Sequence, residues 1–344
     1  MLAEVSGHNS WLTVLATIIP GLLLIYVYCG LLKKSSQPFP QMLEEHLGIA
    51  GRIIALFYVL VFLLLASLYL RFFVEFLSIT VLHNTPTGLI IMALLIPGVY
   101  TIRSSLEVFA RVSEVILWVF LPLAMLMLLV SSTEHPDIGN LMPLAFMGIK
   151  DFIYSVYLNL WHFANIIIIL TLAYFSLQRE QIPRLLLTSL VSLALFLALS
   201  IMVVIITLGA ALASSSTFPL FEIARSASYA GFIRNTEPIF VSIFMLGLYV
   251  SLVSFLFIAC YSTQQVFRLK DYRFLAIPST LLVAFHSLLI GPSTATMFKI
   301  LHFSAPLIFG FFFVLIPILL YILLLFRPHK VNLQSGSGLQ SPET

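Results

Sequence analysis

The sequence predicts an all-α integral membrane protein, a helical bundle of about nine transmembrane spans. Three observations carry that reading. Of the 344 residues 60% are hydrophobic and only 9% charged, whereas a soluble domain carries about 25% charged residues. The apolar stretches are continuous and long: a helix rising ~1.5 Å per residue needs about 20 residues to cross a bilayer, while a membrane β-barrel would alternate in segments of ~10. The basic residues also alternate between successive gaps, as a threaded membrane chain requires.

The spans fall at about 11–32, 53–79, 88–100, 108–130, 148–177, 185–212, 236–266, 274–290 and 305–326 within a membrane domain over residues 1–330. Numbering the gaps alternately, one set holds twelve basic residues: Lys33, Lys34, Arg52, Arg103, Arg111, Arg179, Arg184, Arg268, Lys270, Arg273, Arg327 and Lys330. The other holds four, Lys150, Arg225, Arg234 and Lys299, and Arg71 lies inside a span. Lysine and arginine are retained on the cytoplasmic side. The twelve-residue set is therefore expected to face the cytoplasm, with the C-terminus inside and Met1 outside.

After the first span, Pro40 precedes a short run, Gln41 to Leu47, stopped by Gly48. It reads as an amphipathic helix lying along the cytoplasmic surface. The second span carries Arg71 and Glu75 one helical turn apart, a spacing that lets the two charges offset each other in low dielectric. The third is short for a full crossing and ends at Pro97-Gly98, so it is either tilted with its neighbour or extended to Ile102. At the start of the fourth, Glu107 and Arg111 form a second i, i+4 pair.

The fifth span, Gly148 to Leu177, is the most informative. Asp151, Tyr154, Ser155, Asn159, His162 and Asn165 share one helical face. A polar group facing lipid is costly, so this stripe should turn toward other helices or a wet cavity. Asn159 and His162 fall near mid-span, the depth at which many carriers hold substrate. A stripe that only hydrogen-bonds neighbouring helices fits the same residues.

The inner loop QREQIPR leads to the sixth span. The outer segment after it holds Phe218-Pro219 before a helix-like run, Leu220 to Tyr229, ended by Gly231. Its Leu220, Ile223, Ala224 and Ala227 space as one face, as a lid or docking helix would. Arg234 with Glu237 marks the edge of the seventh span. Tyr249, Ser251, Ser254 and Tyr261 lie within that span, the two serines either lining a cavity or bonding back to their own helix. The tail over 331–344 is polar and rich in Gly, Ser and Pro, and is expected to be disordered.

Several chemistries are not indicated. Cys29 and Cys260 sit in apolar spans and read as small hydrophobes. There is no P-loop, no HExxH and no paired Cys/His spacing. No nucleophile–base constellation appears either. Neither enzyme activity nor a cofactor, metal or nucleic-acid partner is expected.

Five stretches, read together, resemble a known family. GHNSWLTV opens a span; HNTPTG, SLEVFAR, FPLFEIARSA and GFIRNTEPIFV follow in order. They are similar to the B-subunit, permease-like family of bacterial spore germination proteins, within the amino acid–polyamine–organocation transporter superfamily. The family's D-x-W, T-P, G-L-E-x-x-x-R and Y-P … R … F-x-x-R-x-E patterns match Asn9-Ser10-Trp11, Thr85-Pro86, Leu106-Glu107 with Arg111, and Pro219, Arg225, Phe232 and Glu237. Ser105, Asn9 and Asn235 depart from it. The resemblance covers essentially the whole chain. It implies an inverted-repeat amino-acid permease fold of ten helices with the first missing before Met1. The striped span then aligns with the sixth helix, one of the two that cradle substrate.

The resemblance further implies a nutrient germinant receptor subunit in the inner membrane of the spore. Its partners would be an A-type subunit and a lipoprotein C-type subunit, and its ligand a small nutrient. That ligand would contact Tyr157, Asn159, Trp161 and His162 from one side and Tyr249, Ser251 and Ser254 from the other. The competing expectations are a secondary amino-acid transporter and a non-binding scaffold subunit.

Overall fold

The structure, a computed structural model, describes residues 6–34, 37–131, 136–142, 147–176, 178–226, 237–290, 296 and 300–326. Every regular element among them is helical. In chain order these are α1 (Gly7–Lys34), α2 (Phe39–Leu47), α3 (Ile49–Thr80), α4 (Thr87–Ser104) and α5 (Leu106–Ser131). They continue with α6 (Ile149–Phe175), α7 (Arg179–Ser215), α8 (Pro219–Ser226), α9 (Glu237–Phe267), α10 (Arg273–Leu289) and α11 (Ala305–Phe326). A short 3-10 turn, Ile138–Leu141, lies between α5 and α6.

All nine expected spans are helices, and eight are long and apolar enough to cross a membrane. The ninth, α10, is shorter as described. The third span, expected to be short, is an 18-residue helix, because Pro97 is carried inside it rather than ending it. The tail over 331–344 and Arg234 lie outside the described residues.

The centre of the bundle is the pair α3 and α9, packed along most of their length. From Leu252 to Ser262 every residue of α9 is buried, which is why this stretch is apolar all round. Helices α2, α4 and α10 pack on α3, while α1, α6, α7 and α11 form a second group joined to it through α6. Helix α5 is the least enclosed: Val115, Leu117, Trp118 and Leu129 are all exposed, as lipid-facing residues are.

Helix α2 is more than a surface helix. Gly48, at φ 61°, turns the chain between α2 and α3. Gly51 then lets the α3 backbone meet the Leu43 carbonyl, to which a Cβ at 51 would stand 1.9 Å away. Phe39, Met42 and Leu43 are buried by the contact. Three polar links fasten the same end of the bundle. Gln41 donates to Gln265, Arg268 pairs with Glu44 at 2.9 Å, and Arg52 Nε donates to the Val266 carbonyl at 3.1 Å.

The opposite end has its own anchor. Gly209 breaks α7 at φ 73°, ψ 161°, which frees the Ile206 carbonyl from its helical partner. Asn140 Nδ2 and the Asp137 N–H donate to it at 3.0 and 3.2 Å. Helix α8 lies across this end with Phe221, Ile223 and Ala224 buried. It is a docked helix, its Phe221 ring among Phe76 and Phe240. Ala227, Tyr229 and Gly231 of the expected run lie outside the described residues.

Candidate functional site

The polar stripe of α6 is turned inward, as its composition requires. Ser155 and Asn159 are fully enclosed, while Asp151 and Tyr154, nearer the helix start, are exposed. Facing them is a stripe on α1 that hydropathy conceals: Ser6, Ser10, Thr13 and Thr17, all buried. Ser6 Oγ donates to Ser155 Oγ at 2.7 Å, and Asn159 Nδ2 donates to Thr13 Oγ1 at 3.3 Å. The hydroxyls of Ser10, Thr13 and Thr17 also donate to carbonyls of their own helix, Gly7, Ser10 and Thr13, so each stays satisfied in the membrane.

One turn further along, α6 tightens to a 3-10 turn at Asn165–Ile167 before resuming as a helix. A 3-10 turn inside a longer helix often marks a functional hinge. Asn165 Nδ2 donates to the Tyr69 hydroxyl of α3 at 2.8 Å. The same phenol interacts with the Ser251 hydroxyl of α9, and its ring stacks on Phe255 with centroids 5.6 Å apart. Tyr69 is thus the point where α3, α6 and α9 meet. The amide oxygen of Asn165 is buried and has no partner among the described residues.

The described members of the expected ligand set are directed to different neighbours. Tyr157 is directed to α11, where it donates to the Pro306 carbonyl at 2.7 Å. Asn159 is directed to α1, and His162 Nδ1 sits 3.3 Å from the Asn159 carbonyl. The Trp161 side chain lies outside the described part of the molecule. On α9, the Tyr249 hydroxyl is 3.4 Å from Thr101 Oγ1 of α4. Ser254 and Ser251 donate to the Val250 and Gly247 carbonyls at 2.6 and 3.2 Å. Of the expected α9 residues, Ser251 meets the α6 stripe among the described residues, and it does so through Tyr69. Tyr69 and the α1 hydroxyls were not readable as site residues. A lone tyrosine in a buried span, and serines or threonines in an apolar run, are commonly structural.

Both expected ion pairs are present. Arg71 and Glu75 meet at 2.9 Å with side chains 12% exposed; Arg111 and Glu107 meet at 2.7 Å on the surface. Glu237 pairs with Arg225 at 3.7 Å.

Comparison with known proteins finds relatives over most of the chain. The sequence is 23% identical over 295 residues to spore germination protein KB of Bacillus subtilis (strain 168), covering 84% of this chain and 79% of that one. It is 22% identical over 280 residues to the putative spore germination protein YfkT of the same organism, covering 81% and 77%. It is 25% identical over 279 residues to spore germination protein YndE, also of that organism, covering 78% and 74%. The family described as "Spore germination protein" matches residues 1–295. The chain therefore belongs to the permease-like spore germination protein family and is an integral membrane protein of that family.

Proposed function

We propose that this protein is the nutrient-sensing, permease-like subunit of a germinant receptor in the inner membrane of the spore. It would work beside an A-type subunit and a lipoprotein C-type subunit, with its C-terminus in the cytoplasm. The observation that carries the reading is the buried amide oxygen of Asn165, which has no partner among the described residues, where α3, α6 and α9 meet. An unmet acceptor in a membrane interior is expensive. A small ligand bearing an ammonium or hydroxyl donor, such as an amino acid, would satisfy it. Such a ligand shifts the protein between two packings by its differential affinity for them. His162 and Asn159, about one and two turns before Asn165, continue the same face, and Asn159 reaches α1 through Thr13.

The test is germination of spores carrying Asn165→Ala, Asn159→Ala or His162→Ala, followed as ion release against L-alanine, L-valine, glucose and inosine. Membrane abundance is measured in parallel. The reading expects a shifted dose–response to one nutrient with normal abundance. Unchanged responses to the whole panel in all three variants remove the site. Uptake of the nutrient by vesicles carrying the protein, without any germination phenotype, would instead favour a secondary transporter.

A further inference from the structure

Helix α11 is not a regular α-helix. Gly310–Leu315 is π-helical, and the Ile316 N–H closes the segment on the Phe311 carbonyl, five residues back. Pro317 follows. Proline has no N–H, so whichever register α11 adopts, one carbonyl loses its partner there. In the α register, where C=O of residue i meets N–H of i+4, the orphan is Phe313. In the π register, with its i+5 spacing, it is Phe312. Both carbonyls have a phenol waiting. Tyr28 of α1 donates to the Phe313 carbonyl at 2.5 Å, and Tyr58 of α3 donates to the Phe312 carbonyl. Both tyrosines are fully buried. At the other end of the segment, Tyr157 of α6 donates to the Pro306 carbonyl, and Gly310 is the residue that leaves room for its hydroxyl.

We propose that residues 306–317 of α11 are a two-register switch. Tyr28 serves the carbonyl orphaned in one register, Tyr58 the carbonyl orphaned in the other, and Tyr157 ties the segment to α6. Neither register leaves the carbonyl opposite Pro317 unpaired, so the proline does not by itself choose between them. Passing from π to α turns the helix beyond Pro317 by about 100° and moves it by ~1.5 Å along its axis. That part, Ile316–Phe326, carries no charge of its own, and the rotation has to release Lys34 of α1 from the Leu324 carbonyl and the Tyr321 ring. π-Helical segments are frequently placed at functional sites. The tie through Tyr157 makes α11 the element on which a rearrangement of α6 would be felt; that last step rests on the ligand reading above, and the switch itself does not.

The test places spin labels at Ile322→Cys of α11 and Leu60→Cys of α3, both lipid-facing. The full-length protein carries Cys29→Ser and Cys260→Ala and is held in lipid nanodiscs without any nutrient. Inter-label distances are read by pulsed dipolar spectroscopy. Tyr58→Phe, which removes the partner of the π-register orphan, should move the population toward the α register. Tyr28→Phe should move it the opposite way. Each shift is expected to be roughly threefold to twentyfold, the range for a single hydrogen bond between membrane helices. Pro317→Ala should collapse the distribution to the α register and silence both phenylalanine variants. Shifts of Tyr28→Phe and Tyr58→Phe in the same direction, or identical distributions in all variants, overturn the switch. Ring and fold are retained in the tyrosine variants, and a nutrient response lost without a change in these distances counts against the ligand site alone.

Discussion

Gly51→Ala tests the docking of α2 on α3 most sharply. A Cβ there stands 1.9 Å from the Leu43 carbonyl oxygen, 2.4 Å from its carbon and 3.0 Å from the Glu44 nitrogen. All three are backbone atoms, so no side-chain rotation relieves the clash. Non-bonded heavy atoms settle at roughly 3.5 Å, so α2 must withdraw by about 1.5 Å. Overpacking of this kind costs about 1–3 kcal/mol. Alanine recovers about 1 kcal/mol of helix propensity over glycine, leaving a net loss of up to about 2 kcal/mol. The withdrawal also strains the Glu44–Arg268 pair and exposes Leu43, which is fully buried. The assay is thermal unfolding in nanodiscs, with maleimide labelling of Leu43→Cys in the parent and in the Gly51→Ala background. The account expects a midpoint lower by a few degrees and a cysteine that becomes reactive only with Gly51→Ala. An unchanged or raised midpoint with a protected cysteine would refute the close backbone contact.

Two further predictions concern charge and backbone. Arg71→Ala should lower stability more than the paired change Arg71→Leu with Glu75→Leu, because the single change takes the countercharge away from a carboxylate in an enclosed site; Arg111→Ala, on the exposed pair, should shift it by less than about 0.5 kcal/mol. Comparative thermal unfolding of the four proteins decides. Gly209→Ala should destabilise by about 1–3 kcal/mol, since φ 73° with ψ 161° is a conformation that essentially only glycine adopts, and a neutral result would show that α7 is not broken there.

Much of the fold is legible in the sequence, for a physical reason. Lipid forces each span to satisfy its own backbone, so hydropathy and the alternation of basic residues define the helices almost without tertiary information. The amphipathic α2 is legible too, from Pro40 and Gly48. What escapes is what depends on partners. The α1 hydroxyls bond within their own helix as well as toward α6, so they leave an apolar-looking run. The π segment of α11 needs three tyrosines from three other helices to hold it. Only the spacing of Pro306 and Pro317 hints at it. The α6 stripe announces its inward face, but the sequence cannot say that Tyr157 turns to α11 while Asn159 turns to α1. The expected α9 half of the site is mostly self-bonded, because serines in a buried helix find their nearest carbonyl first.

The account depends on the α6 stripe being sealed against α1 inside the membrane. Ser6 Oγ donates to Ser155 Oγ at 2.7 Å across that seam. Ser6→Cys with Ser155→Cys, in the Cys29→Ser, Cys260→Ala background, should form a disulfide rapidly on mild oxidation of intact membranes. Mass spectrometry would then recover the two peptides linked in one chain. Recovery of both cysteines as separate alkylated peptides, from protein that is otherwise folded, would contradict the packing on which the proposed ligand site stands.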